Sequence, residues 1–111
     1  MVVLQAIPAG DLDAYQLLRA RIREARTWSW ANKKKTRLRH AQRPKGGYIE
    51  VARANGVLIA HIRPKTQSDL FYLAEKFTGR LLAWFEGQLL AVNLQFVPEP
   101  PPRKRRRRRS Q

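Results

Sequence analysis

The dipeptide Asn55-Gly56 constrains this chain more than any other feature. Alternating, β-branched runs flank it from Tyr48 to Arg63 (YIEVARANGVLIAHIR). A two-residue type I′ turn needs positive φ at both central positions, which Asn tolerates and Gly adopts freely, so the stretch reads as one β-hairpin. The turn fixes the register. Counting outward opposes Ala54 to Val57, Ala52 to Ile59, Glu50 to His61 and Tyr48 to Arg63 on one face. Arg53/Leu58, Val51/Ala60 and Ile49/Ile62 fall on the other, which is the oily one and should meet the core. The first face carries Tyr48, Glu50, His61 and Arg63, a mixed aromatic and charged surface that an uncovered sheet can offer to a ligand.

Elements can be placed around the hairpin by periodicity. Upstream, Leu12, Tyr15, Leu18, Ile22 and Ala25 recur at helical steps, predicting an amphipathic helix that starts at Gly10 or Asp11 and ends near Thr27. Thr36 to Ala41 alternates Arg37 and Arg39 against Leu38 and His40, predicting a strand with its arginines on one face. Gln42 to Gly47 is the loop into the hairpin. Downstream, Thr66 or Ser68 caps a second helix from about Asp69, with the stripe Leu70, Leu73, Ala74, Phe77, Leu81, Trp84 and Phe85 and with Gly87 at its end. Leu89 to Val97 is a last strand. Val2 to Ile7 is apolar enough for a short strand or packing arm, ended by Pro8-Ala9-Gly10.

The expected fold is therefore α+β: a four-stranded antiparallel sheet with two helices packed on one face, in the order α-β-β-β-α-β. One such domain fills residues 1–97. Pro98 to Pro102 then stops regular structure, and the seven adjacent cations of Arg103 to Arg109 repel one another, so 98–111 reads as a proline-rich spacer and a disordered basic tail.

Charge dominates the functional reading. The 111 residues carry a formal +15, and of 23 Lys and Arg seven lie in Lys33 to Lys45 and seven in Arg103 to Arg109. All eight acids lie elsewhere, so the remainder is nearly balanced and the excess is concentrated in two clusters that attract polyanions. No acid occurs from Ala25 to Ile49, a stretch that also holds two tryptophans. Basic groups draw phosphates with counterion release, and flat side chains give exposed bases a surface to stack on. The nucleic-acid-binding candidates are Trp28, Trp30 and Tyr48 for stacking, and Lys33, Lys34, Lys35, Arg37, Arg39, Arg43, Lys45, His61 and Arg63 for phosphates and base edges. Arg103, Lys104 and Arg105 of the tail join them. Either tryptophan serves as well as a core plug.

Single strands fit better than duplex, because no zinc-finger pattern or helix-turn-helix reader is present, whereas sheet faces commonly hold unstacked bases. The competing enzyme reading rests on Glu50 opposite His61 as a general acid/base pair, with His40 in phase with Leu38 and so on the other face. The absence of cysteine removes thiolate chemistry, and nothing else calls for a metal or cofactor. No apolar run approaches the roughly 20 residues of a bilayer span. The opening also lacks a signal-peptide layout, so a cytoplasmic, nucleoid-associated protein is expected.

A leading helix, the tract WSWANKKKTRLRH, a hairpin, a packing helix and one further strand resemble the DNA-binding domain of the ThermoDBP-related single-stranded DNA-binding proteins of hyperthermophilic archaea, over about residues 10 to 97. A single methionine and no cysteine are compatible with a thermophile. The resemblance implies largely sequence-independent binding of single-stranded DNA by a homo-oligomer whose subunits enclose the strand. RNA, or a ribosome-associated role, is the alternative partner reading. A dimer or tetramer is also expected from Phe71, Tyr72 and Leu82, which lie off the main stripe of the second helix.

Overall fold

The computed structural model describes residues 1–98; the predicted basic tail, with Arg103, Lys104 and Arg105, lies outside them. The elements run β1 (Val2–Pro8), α1 (Ala14–Ile22), β2 (Trp28–Trp30), β3 (Arg37–His40), β4 (Gly47–Ala54), β5 (Val57–Pro64), α2 (Gln67–Trp84) and β6 (Leu89–Phe96). All six strands join one antiparallel sheet in the order β2-β3-β4-β5-β1-β6.

The hairpin forms as its turn chemistry dictates. Asn55 and Gly56 have φ of 53° and 85°, and β4 pairs β5 from Ala54↔Val57 out to Tyr48↔Arg63 in the expected register. Ile49, Val51, Leu58, Ala60 and Ile62 point to one face and are buried. Both helices cover that face: Ala14, Leu18 and Ile22 of α1 and Leu73, Phe77 and Leu81 of α2 complete a single core. Asp13 caps α1 by accepting from the Gln16 amide, and Thr66 caps α2 by accepting from the Asp69 amide.

The sheet has six strands and a different order, which corrects the four-stranded expectation. Val2–Pro8 is no packing arm but an interior strand, hydrogen-bonded to β5 on one side and to β6 on the other. Its side chains are largely apolar, and Val2, Val3, Leu4 and Ala6 are all buried, as suits a strand in the interior of the sheet, but the run itself does not name its two partners. Trp28–Trp30 adds a short edge strand beside β3 (Trp28↔His40, Trp30↔Leu38), and α1 consequently stops at Ile22, earlier than its apolar periodicity implied. Among the described residues no helix is long and apolar enough to cross a membrane.

Candidate nucleic-acid interface

The helices leave the other sheet face open, and the alternation of β3, β4 and β5 decides what stands on it. Leu38 and His40 turn inward and are buried, so Arg37 and Arg39 must turn outward, as their two-residue phase requires. Arg37 pairs with Glu50 in register, and Tyr48 stands opposite Arg63. At the β3/β4 end of this face lies an open groove of about 630 Å³, lined among others by Asn32, Arg37, Arg39, Lys45, Tyr48 and Lys65.

The half-buried Tyr48 ring is the flat element of the groove. The Arg37 guanidinium lies over it, 4.8 Å from the ring centroid. Glu50 partly neutralises the neighbourhood: its carboxylate accepts from Arg63 at 3.4 Å and lies 3.9 Å from Arg37. No ion pair among the described residues engages Arg39, Lys45 or Lys65, so the groove end has three uncompensated cations around one aromatic ring.

Two backbone features shape this end. Gly47 has φ of 103°, and a Cβ there would run into the Arg63 carbonyl, so only glycine lets the two strands approach at this point. On the other side, the Asn32 side chain accepts from the Thr36 and Arg37 amides and donates to the Thr36 hydroxyl, which ties down the β2–β3 loop. Lys33 and Lys34 are exposed on that loop, while Lys35 (φ 58°) gives its carbonyl to the Tyr15 hydroxyl at 3.0 Å.

Several sequence candidates stand elsewhere. Trp28 is 1% exposed and packs edge-on against His40 and Phe77, so it is a core residue and offers no stacking surface. Trp30 is half-buried on the helix-covered face beside Tyr15. Arg43 is diverted from phosphate duty: it donates to Asp69 at 2.8 Å and lies over the Tyr72 ring at 4.3 Å. That contact holds the Asp69 carboxyl below its ordinary value, with the Thr66 hydroxyl assisting. His61 and Glu50 are opposed across the hairpin, but no hydrogen bond joins them and Glu50 is held by the arginines.

Tyr72 is not the free oligomer surface expected of it. It is half-buried, with the His40 ring edge-on at 5.1 Å and with Arg43 and Lys76 over its face. Burial, reinforced by the charges of Lys76, Arg80 and Arg43, pushes the His40 pKa below its ordinary value. His40 then stays neutral, and its Nδ1 accepts from the Gln42 amide at 3.0 Å.

Sequence reasoning missed Lys65 and Asn32. Lys65 follows Pro64, which pairs with Gly47, so the hairpin register extended by one step would have brought it beside the loop. Comparison with protein-family models, curated proteins and solved structures gives no match to this chain.

Proposed function

We propose that this protein binds single-stranded nucleic acid, DNA in the first instance, on the open face of its sheet. The observation that carries the reading is Tyr48, set in an open groove among Arg37, Arg39, Lys45 and Lys65. A base stacks on an aromatic ring whatever its identity, and surrounding cations hold the phosphates that flank it. Neither contact reads a base edge, so sequence preference is slight. A duplex hides its base faces, so the tyrosine rewards single strands alone.

The test is a competition titration in which a labelled single-stranded oligonucleotide bound to the full chain is challenged with unlabelled single strand, duplex of the same sequence, and RNA. The single strand displaces the label at lower concentration than the duplex. Tyr48→Ala weakens single-strand binding by about 1–3 kcal/mol, the value of one stacked base, and leaves duplex binding unchanged. Equal competition by duplex and single strand would sink the reading. A stronger challenge by RNA than by DNA would move the assignment to RNA on the same groove.

A further inference from the structure

The two edges of the sheet are not alike. β2 is a three-residue strand followed by the basic loop, and an edge so short is a poor template for another chain. β6 is eight residues long, and its sequence LLAVNLQF contains no charge and no proline, the devices that ordinarily blunt an edge. The exposed large hydrophobics gather here: Leu90 is 72%, Phe96 77% and Leu94 39% exposed. Leu82 of α2, 61% exposed, lines a cavity of about 330 Å³ together with Leu90, Ala91 and Val92. Phe71, 60% exposed, lies three turns earlier on that face of α2.

The unused hydrogen-bonding groups of β6 can be assigned. Met1 and Val97 exchange both backbone bonds, Val97 N–H to Met1 O at 2.8 Å and the Met1 amine to Val97 O at 3.0 Å. In an antiparallel ladder bonded and non-bonded pairs alternate. Gln95, Asn93 and Ala91 therefore turn their N–H and C=O groups toward β1, whereas Phe96, Leu94 and Val92 turn theirs away from the sheet. An occupant must supply a strand, be apolar on its helix-side face, and tolerate a protein of formal charge +15. A copy of the same strand meets the first two demands and adds no charge at the edge itself, and salt screens the like charges that the two chains carry elsewhere.

We infer that β6 pairs antiparallel with β6 of a second copy about a twofold axis at Asn93, joining the two sheets into one of twelve strands. Only residues with outward backbone groups can exchange bonds, which allows three compact registers; the one centred on Leu94 sets Leu90 against Pro98, which has no N–H to donate and so cannot continue the ladder, and two remain. In one, Val92 bonds Leu94 of the second copy, Phe96 meets Leu90 near the bulge that follows Leu89, and Asn93 faces Asn93. The other centres on Val92 and requires Phe96 to bond Gln88. The Gln88 backbone is already committed, its N–H to Phe85 O at 2.8 Å and its carbonyl to the Ala9 N–H at 2.9 Å. The first register is the one that remains, and on the helix-covered face it sets Val92 against Leu94 and Leu90 against Phe96, while the open face pairs Asn93 with Asn93 and Ala91 with Gln95.

A twofold axis normal to the sheet keeps both open faces on the same side. The two β4 strands then lie seven strand spacings apart, about 34 Å before twist is counted. One nucleic-acid strand can then engage two grooves, with a gain from effective concentration. That gain rests on the proposed function; the dimer itself rests on the strand edge alone.

Because the chain has no cysteine, single substitutions report cleanly. Asn93→Cys places two thiols on the axis at a non-hydrogen-bonded pair, where Cα atoms stand about 4.5 Å apart, within disulfide range. The full chain carrying this change should oxidise quantitatively to a disulfide dimer, whereas Val92→Cys and Ser29→Cys, the latter on the opposite edge, should not. The unmodified protein should sediment at twice 12.9 kDa in high salt without nucleic acid. Leu94→Lys, which sets like charges together at the interface, should sediment at half that mass with its circular dichroism unchanged. A monomeric unmodified protein, or cross-linking no better at Asn93 than at Ser29, overturns the inference. Preferred cross-linking at Val92 overturns its register and with it the proposal as stated. Failure to bind oligonucleotide would leave these readouts untouched, so the two proposals fail separately.

Discussion

Replacing Arg39 and Lys45 together by alanine removes two of the uncompensated cations from the groove while sparing the core, since both side chains are exposed and neither makes an ion pair. For single strands the logarithm of the binding constant falls by about 0.7 per phosphate neutralised for each unit of log salt, so the double variant should lose about 1.4 from its slope. If Arg37, Arg39, Lys45 and Lys65 each hold one phosphate, the groove contributes a slope of about 2.8, or roughly 50-fold in affinity between about 50 and about 200 mM salt. The variant would keep about 7-fold of that. Basic residues beyond 98 add their own contacts equally to both proteins, so the difference between slopes is the quantity to read. The assay is fluorescence anisotropy of a labelled oligonucleotide over a salt series, with Arg19→Ala/Arg21→Ala on the exposed side of α1 as the charge-matched control. An equal loss of slope in both double variants would refute the reasoning, because it would show attraction to net charge and no defined site.

Stability predictions test the frame that holds the groove. Phe77→Ala, at a fully buried ring, should cost about 3–5 kcal/mol in chemical denaturation. Gly47→Ala should destabilise by more than about 1 kcal/mol, because its φ is positive and the Arg63 carbonyl blocks a Cβ, whereas Gly79→Ala, with open space around it in α2, should stabilise by up to about 1 kcal/mol. The His40 pKa is lowered in the fold, so below its ordinary 6.5 the unfolded chain binds the extra proton first. Stability should therefore be full above that pH and decline as pH falls toward the lowered value, and His40→Gln should flatten this part of the curve. The Asp69 carboxyl is also lowered, so its contribution is present above the ordinary carboxylate range and lost as pH falls through the lowered value; Asp69→Asn should remove that acid-side slope.

What the sequence made legible was what nearest neighbours decide. The Asn55-Gly56 turn set the hairpin register, the Thr66 hydroxyl marked the start of α2, and two-residue phase put Arg37 and Arg39 opposite Leu38 and His40. Pairing across long separations was not legible: Val2 meets both Ile62 and Phe96, and no local pattern in VVLQAIP announces two partners. The tryptophans were ambiguous for a related reason. Trp28 and Trp30 are neighbours of a basic run in sequence, but the inward phase of β2 places both on the helix-covered face. Arg43 shows the same limit, since its carboxylate partner lies 26 residues away on α2. Tyr48 was singled out correctly as a residue of the outer hairpin face, and its burial state and cationic neighbours needed the fold.

The central claim is that a single strand lies on the sheet face beside Tyr48, and chemical-shift mapping of the full chain during titration with a short single-stranded oligonucleotide tests it most directly. Shifts should concentrate at Arg37, Arg39, Lys45, Tyr48 and Lys65 and be weak at Arg19, Arg21 and Arg23 of the α1 segment. Shifts confined to the residues beyond 98, with those groove residues unmoved, would contradict the account.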